Sequence, residues 1–232
     1  MNTEVINYAI FILLLFYLPL WTQINLFISS LGRSQKPITV IKDERIYKLL
    51  LSKTKAQIKS IKISESALPF GMMIGIPNRP QLILSRKLYG TFNQDEIDYV
   101  VLHEAGHYML HHSIKELLLG LLFLVVGIFL LNNVTIFSVG VIPAFLLGIG
   151  FGILMIQIGR MKELEADKYT LARITNPEGM VTATERFRNA YKNRSSNNKL
   201  IRLLLYRGNP YENRIRMANE EIQRRKLTRN VR

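Results

Sequence analysis

The run Val101-Leu102-His103-Glu104-Ala105-Gly106-His107-Tyr108 contains His-Glu-x-x-His, and that spacing fixes what the surrounding chain must be. An α-helix turns once per 3.6 residues and rises about 1.5 Å per residue. On a helix, therefore, His103 and His107 leave on one side, roughly 6 Å apart, and both reach one tetrahedral cation. Glu104 stands beside them without competing as a ligand, and in this pattern it works as a base on a zinc site. The helix itself is signalled by Asn93 and Glu96, spaced as a capping box, and by an apolar face of Ile97, Val100, Val101, Leu102 and Ala105.

The other two histidines, His111 and His112, close the chain's supply of imidazole. On a straight helix His111 stands about 12 Å from His103, too far to share an ion with metal–nitrogen bonds near 2 Å. Met109-Leu110 occupy the place where a glycine would bend the chain toward a third histidine. Cysteine is absent, which excludes disulfides, thiolate metal sites and a cysteine nucleophile and leaves carboxylate as the remaining ligand type. Downstream, Arg160, Glu163 and Asp167 share one helical face, while Glu165 and Lys168 point elsewhere. Such a stripe is ordinarily a solvated ion-pair face; beside a zinc helix short of one ligand it is the best carboxylate source in the chain.

Charge is distributed unevenly. The formal net charge is +14, yet none of the 31 lysines and arginines lies in residues 1–32 or between Glu116 and Gly159. Val5 to Leu31 carries no charged side chain and is long enough for about 30 Å of hydrocarbon, so Ile6 to Ile28 reads as a retained anchor. Leu117 to Leu131 and Val134 to Ile158, interrupted by Asn132-Asn133, read as the two arms of a membrane hairpin. The first arm extends only about 22 Å. Basic residues just after the anchor and on both sides of the hairpin place the hydrophilic parts in the cytosol by the positive-inside rule. This accounts for the basic excess through topology and anionic lipid. The tail Arg224-Arg225-Lys226 lacks the interleaved aromatics of a nucleic-acid motif, and no nucleic acid is expected. The expected organisation is an anchor over 1–32, cytosolic catalytic parts over 33–116 and 160–232, and the hairpin over 117–159.

Between anchor and zinc helix, Asp43 to Ser52 reads as a helix and Lys55 to Ile63 as a strand. Leu68 to Ile76 and Gln81 to Ser85, around Pro77-Asn78-Arg79-Pro80, read as a β-hairpin. Its edge offers a place for an extended peptide to add as a further strand, or simply covers the helix.

The pairing of His103-Glu104-Ala105-Gly106-His107 with Arg160-x-x-Glu163-Leu164-Glu165-Ala166-Asp167 across an apolar hairpin resembles the HtpX-type and CAAX-prenyl-protease family of integral-membrane zinc metallopeptidases. Pro69-Phe70-Gly71, Pro80-x-Leu82-Ile83-Leu84-Ser85 and Asn209-Pro210-Tyr211-Glu212-Asn213-Arg214-Ile215 are similar to that family too, so the likeness runs from about residue 66 to 217. It implies an α+β, mainly α, zincin-like fold with three transmembrane helices and a small sheet beside the zinc helix. It further implies one Zn2+ held by His103, His107 and Glu163, with Glu104 as base and Asp167 orienting a ligand or aiding proton transfer. Asn209 replaces the family's histidine, which leaves Asn209, Tyr211 and Arg214 as candidates for the oxyanion or substrate contact. The implied activity is endopeptidase action on membrane or membrane-proximal proteins in a cell-membrane setting, with protein or peptide substrate and lipid as partners. A BlaR-type sensor-transducer and a non-catalytic scaffold are the rival readings; the first wants an external sensing domain, and the outside parts are a few residues long.

Overall fold

A computed structural model describes residues 38–75, 80–132, 141–192 and 208–230. The elements are β1 (Ile38–Ile41), α1 (Glu44–Thr54), β2 (Ser60–Ser64), β3 (Gly71–Ile74), β4 (Gln81–Ser85), α2 (Arg86–Thr91), α3 (Gln94–Met109), α4 (His112–Asn132), α5 (Val141–Leu171), α6 (Glu178–Tyr191) and α7 (Tyr211–Asn230). They form two compact units, one with Met1–Arg33 and His111–Ile158, the other with Ser34–Leu110 and Gly159–Arg232.

The second unit carries a mixed four-stranded sheet in the order β1-β2-β4-β3. β2 runs parallel to β4, and the outer strands are antiparallel, β1 to β2 and β3 to β4. In β2 and β4 the buried side chains alternate, Ile61 and Ile63 in one, Leu82 and Leu84 in the other, so one face is committed to the core. Against it packs the apolar face of α3, with Val101, Leu102 and Ala105 fully buried, together with Leu50 of α1 and Met180 and Ala183 of α6. A fully buried leucine such as Leu102 contributes roughly 1.5–3 kcal/mol through the water it leaves.

The cap on α3 is built as its sequence specifies. Asn93 accepts from the Glu96 amide at 2.9 Å, and Glu96 accepts from the Asn93 amide at 2.8 Å. Arg186 of α6 then binds the fully buried Glu96 at 2.9 Å, tying the helices together. They also touch backbone to backbone: a Cβ placed on Gly179 would fall 2.3 Å from the Asp95 carbonyl oxygen. α7 is fixed at its far end by Arg225, whose guanidinium donates to the carbonyls of Leu171, Ile174 and Thr175 at 2.8–2.9 Å while bonding Glu221. A cation there satisfies carbonyls that the end of α5 leaves open. Arg224 also bonds Glu221.

Several expectations need adjusting. The strand expected over Lys55 to Ile63 is confined to β2, because Lys55 takes the left-handed conformation (φ 60°) that closes α1. β1, α2 and α6 were not foreseen. His111 does not continue the zinc helix: it too is left-handed, φ 56°, and breaks the chain between α3 and α4. Ile6 to Ile28 lies outside the described residues. Among those described, no helix is long and apolar enough to cross a membrane, so the three expected spans are not seen. The hairpin arms correspond to α4 and to the first part of α5, and α5 runs without interruption from Val141 through Glu163 and Asp167 to Leu171. α4 leaves Leu118, Leu122, Val125 and Phe129 56–63% exposed, an apolar surface of the kind that marks a protein or membrane contact.

Candidate metal centre

Three ligand-type atoms converge between α3 and α5. Nε2 of His103 and Nε2 of His107 lie 3.1 Å apart. The carboxylate of Glu163 places Oε2 3.4 Å from the first and Oε1 3.4 Å from the second. A tetrahedral ion with bonds of about 2.0–2.1 Å spaces its ligand atoms about 3.3 Å apart, so two imidazoles and a carboxylate at these separations fit zinc and leave a fourth position open. Among the described residues these three side chains form the group able to hold a metal ion.

The two ligand helices can approach because small residues meet where they cross. A Cβ on Gly106 would lie 3.2 Å from the Tyr169 ring and 3.4 Å from the Ala166 backbone. This is why the residues between the motif's fixed positions matter: Ala105 faces the core and Gly106 faces α5.

Behind the ligands stands Asp167, fully buried. Its Oδ1 lies 2.9 Å from His103 Nδ1 and accepts from the Tyr99 hydroxyl at 3.1 Å. Its Oδ2 accepts from Asn209 Nδ2 at 2.8 Å and from Arg214 Nε at 2.9 Å. Arg214 also donates through Nη2 to Glu163 Oε2 at 2.7 Å, so one guanidinium grips a ligand and the residue behind another. The carboxylate at His103 Nδ1 fixes the ring's orientation and directs Nε2 to the cluster.

Electrostatics follow the geometry. Burial alone would lower the pKa of His103, but the charge and hydrogen bond of Asp167, aided by Glu163, push it up to about 10. Burial opposes ionisation of Asp167, yet His103 and Arg214 hold it down at about 2. Glu163 is likewise held far below the carboxylate range, its burial outweighed by hydrogen bonds from His103 and His107. Glu104 is raised by burial, against the pull of His103 and His107. The cluster is therefore a place where positive charge is favoured and carboxylates stay ionised.

A cavity of ≈ 360 Å³ opens onto these groups. Its walls include His103, Glu104, His107, Glu163, Arg214 and Tyr211, and on another side Phe70, Phe187 and Tyr191. Here the three late candidates separate. Tyr211 and Arg214 line the cavity. Asn209 is 3% exposed, and its amide donates to Asp167 and approaches the sulfur of Met217 while its oxygen accepts from Asn213. Arg214 is committed to Glu163 and Asp167. Two contributors escaped sequence reasoning. Tyr99 lies one turn before His103 on the same face, a signal available from spacing alone; the wall supplied by α6 carries no local signature.

A family model described as Peptidase family M48 matches residues 45–221. No curated protein matches the chain. Among solved structures, the crystal structure of S. mikatae Ste24p superposes with a TM-score of 0.60 at 18% identity, covering 89% of this chain and 56% of that one. The chain thus spans little more than half the length of that relative, and at this identity the likeness is one of fold. With the family model covering three-quarters of the sequence and the paired motifs meeting in space, the chain belongs to peptidase family M48.

Proposed function

We propose that this chain is a zinc-dependent endopeptidase acting at a membrane on membrane or membrane-proximal proteins, in the manner of a quality-control protease. The observation that carries the proposal is the triangle of His103, His107 and Glu163 donor atoms at 3.1–3.4 Å with Glu104 on the wall of the same cavity. A zinc ion bound there supplies Lewis-acid activation of a water molecule and of the substrate carbonyl. Glu104 takes the proton from the attacking water and returns it to the leaving amine. The Tyr211 hydroxyl, on the cavity wall, is the group we assign to the oxyanion, since Asn209 and Arg214 are engaged behind the ligands. Asp167 keeps His103 oriented throughout.

Substrate is received along β3. This strand pairs with β4 on one side, and its other edge is open to an extended peptide, which gains backbone hydrogen bonds without regard to sequence. Gly71 brings that strand close to the base: a Cβ there would fall 2.6 Å from Val100 Cγ1 and 3.3 Å from Glu104 Cγ. Attachment to the bilayer is assigned to Ile6 to Ile28 and to the apolar runs 117–131 and 134–158, with the catalytic parts cytosolic; the exposed side chains of α4 support this.

The test is Glu104→Gln in the full-length chain. Peptide hydrolysis should fall at least about 10³-fold while metal analysis still finds one zinc per chain; His103→Ala should lose both. Undiminished cleavage by Glu104→Gln removes the assigned base and with it the proposal.

A further inference from the structure

The cavity has two chemically distinct parts, and only one of them is used by the ligands and the base. The other is aromatic. Phe187 and Tyr191, four residues apart, project from one face of α6. Both line the cavity with Pro69, Phe70 and Val100. Phe187 is anchored from behind, its ring 5.5 Å from that of Phe92. Tyr191 is anchored at its tip, where the hydroxyl donates to the Pro69 carbonyl at 2.9 Å across 122 positions of sequence. That bond ties the end of α6 to the segment leading into β3 and holds the tyrosine ring as a wall. Resting on the peptidase reading above, we propose that Phe187 and Tyr191 form a selective subsite that takes one bulky apolar side chain of the substrate next to the scissile bond.

The physical case is one of continuity and contrast. A peptide laid along β3 passes Gly71, which sits over Val100 and Glu104, and side chains of a strand project alternately to its two faces. A residue flanking the bond above Glu104 therefore directs its side chain into the volume bounded by Phe70, Phe187 and Tyr191. The cationic and anionic groups of the cavity are already paired with one another through Arg214, His103, Glu163 and Asp167. A charged substrate side chain would lose water against this wall and gain no partner, whereas an apolar one gains burial. The volume of ≈ 360 Å³ is at the small end for ligand pockets, room for a residue or two. Tyr191 fixes the depth: freeing its hydroxyl from Pro69 loosens the wall without removing the ring.

The experiment is a binding measurement that does not depend on turnover. Fluorescein-labelled peptides of one backbone sequence, varied at a single central position among Leu, Phe, Gly, Asp and Lys, are titrated by anisotropy into the zinc-loaded, full-length Glu104→Gln protein. Leu and Phe peptides should bind at least about 10-fold more tightly than Gly, Asp or Lys peptides, in line with what an apolar pocket discriminates. Phe187→Ala should erase most of that difference. Tyr191→Phe, which keeps the ring and the fold, should reduce it by a few-fold and leave zinc content unchanged. Equal binding of all five peptides overturns the subsite, as does discrimination that survives both substitutions. The unsubstituted chain separates this from the peptidase reading. Cleavage without side-chain preference sinks the subsite and leaves the peptidase; selective binding without any cleavage does the reverse.

Discussion

α3 and α5 deliver ligands to the same triangle, but they are held in place by different forces. α3 is seated by water exclusion: a capping box starts it, and Val101, Leu102 and Ala105 have no exposed surface. The ligand-bearing turn of α5 is seated by charge. Glu163 and Asp167 are gripped by Arg214, Asp167 is bonded further by Tyr99 and Asn209, and the helix end at Leu171 is closed by Arg225. One helix is positioned by apolar burial that also makes the fold; the other is positioned by a network whose cost is justified by what it places. Stability and metal binding should therefore respond to different substitutions.

The sharpest break in that comparison should come from Leu102→Ala. Losing its buried branch is expected to lower unfolding free energy by about 2–5 kcal/mol, seen as an early thermal transition, with zinc still bound below it. Asp167→Asn should act the other way, weakening zinc about 10–100-fold in a competition titration while the metal-free melting temperature moves far less. If Leu102→Ala proved the greater loss in metal affinity, the division of labour would be wrong. Next in size, Arg225→Met should cost about 1–2 kcal/mol of stability, because three carbonyls at the end of α5 lose a charged donor; an unchanged transition would deny the clamp any role. The smallest effect concerns Glu221. Hydrogen bonds from Arg224 and then Arg225 lower its pKa from 4.5 to about 2. With the folded value depressed, its contribution is complete above pH 4.5 and fades as pH falls toward 2. About 1 kcal/mol, discounted for the exposure of Arg224, should disappear over that window in the native chain and be absent in Glu221→Gln.

The same contrast explains what the sequence could disclose. Apolar periodicity and the Asn93–Glu96 box are local, so α3 and its two histidines were legible, as was the β3–β4 pair with its turn residues. Glu163 and Asp167 were legible only as a face with one stripe of charge. Nothing local says that Arg214, 47 positions beyond Asp167, reaches back to both, or that Asn209 turns its amide inward and not toward substrate. Gly179 reads as an unremarkable glycine at the start of a helix until Asp95 is found against it. The left-handed residues Lys55 and His111 end their helices without the glycine that would have announced it. Long-range polar contacts and backbone approaches leave no periodic trace, and these were the parts the sequence withheld.

Gly71 illustrates how narrow the tolerance becomes beside the base. Its backbone is not in the left-handed region, so any L-residue could adopt its torsions, and the exclusion is one of volume alone. Even alanine would have to lever the strand off Val100. Replacement at this one position would thus dislodge the rail that carries the polypeptide while leaving every ion-binding atom in place, a way to uncouple docking from chemistry with a single methyl group.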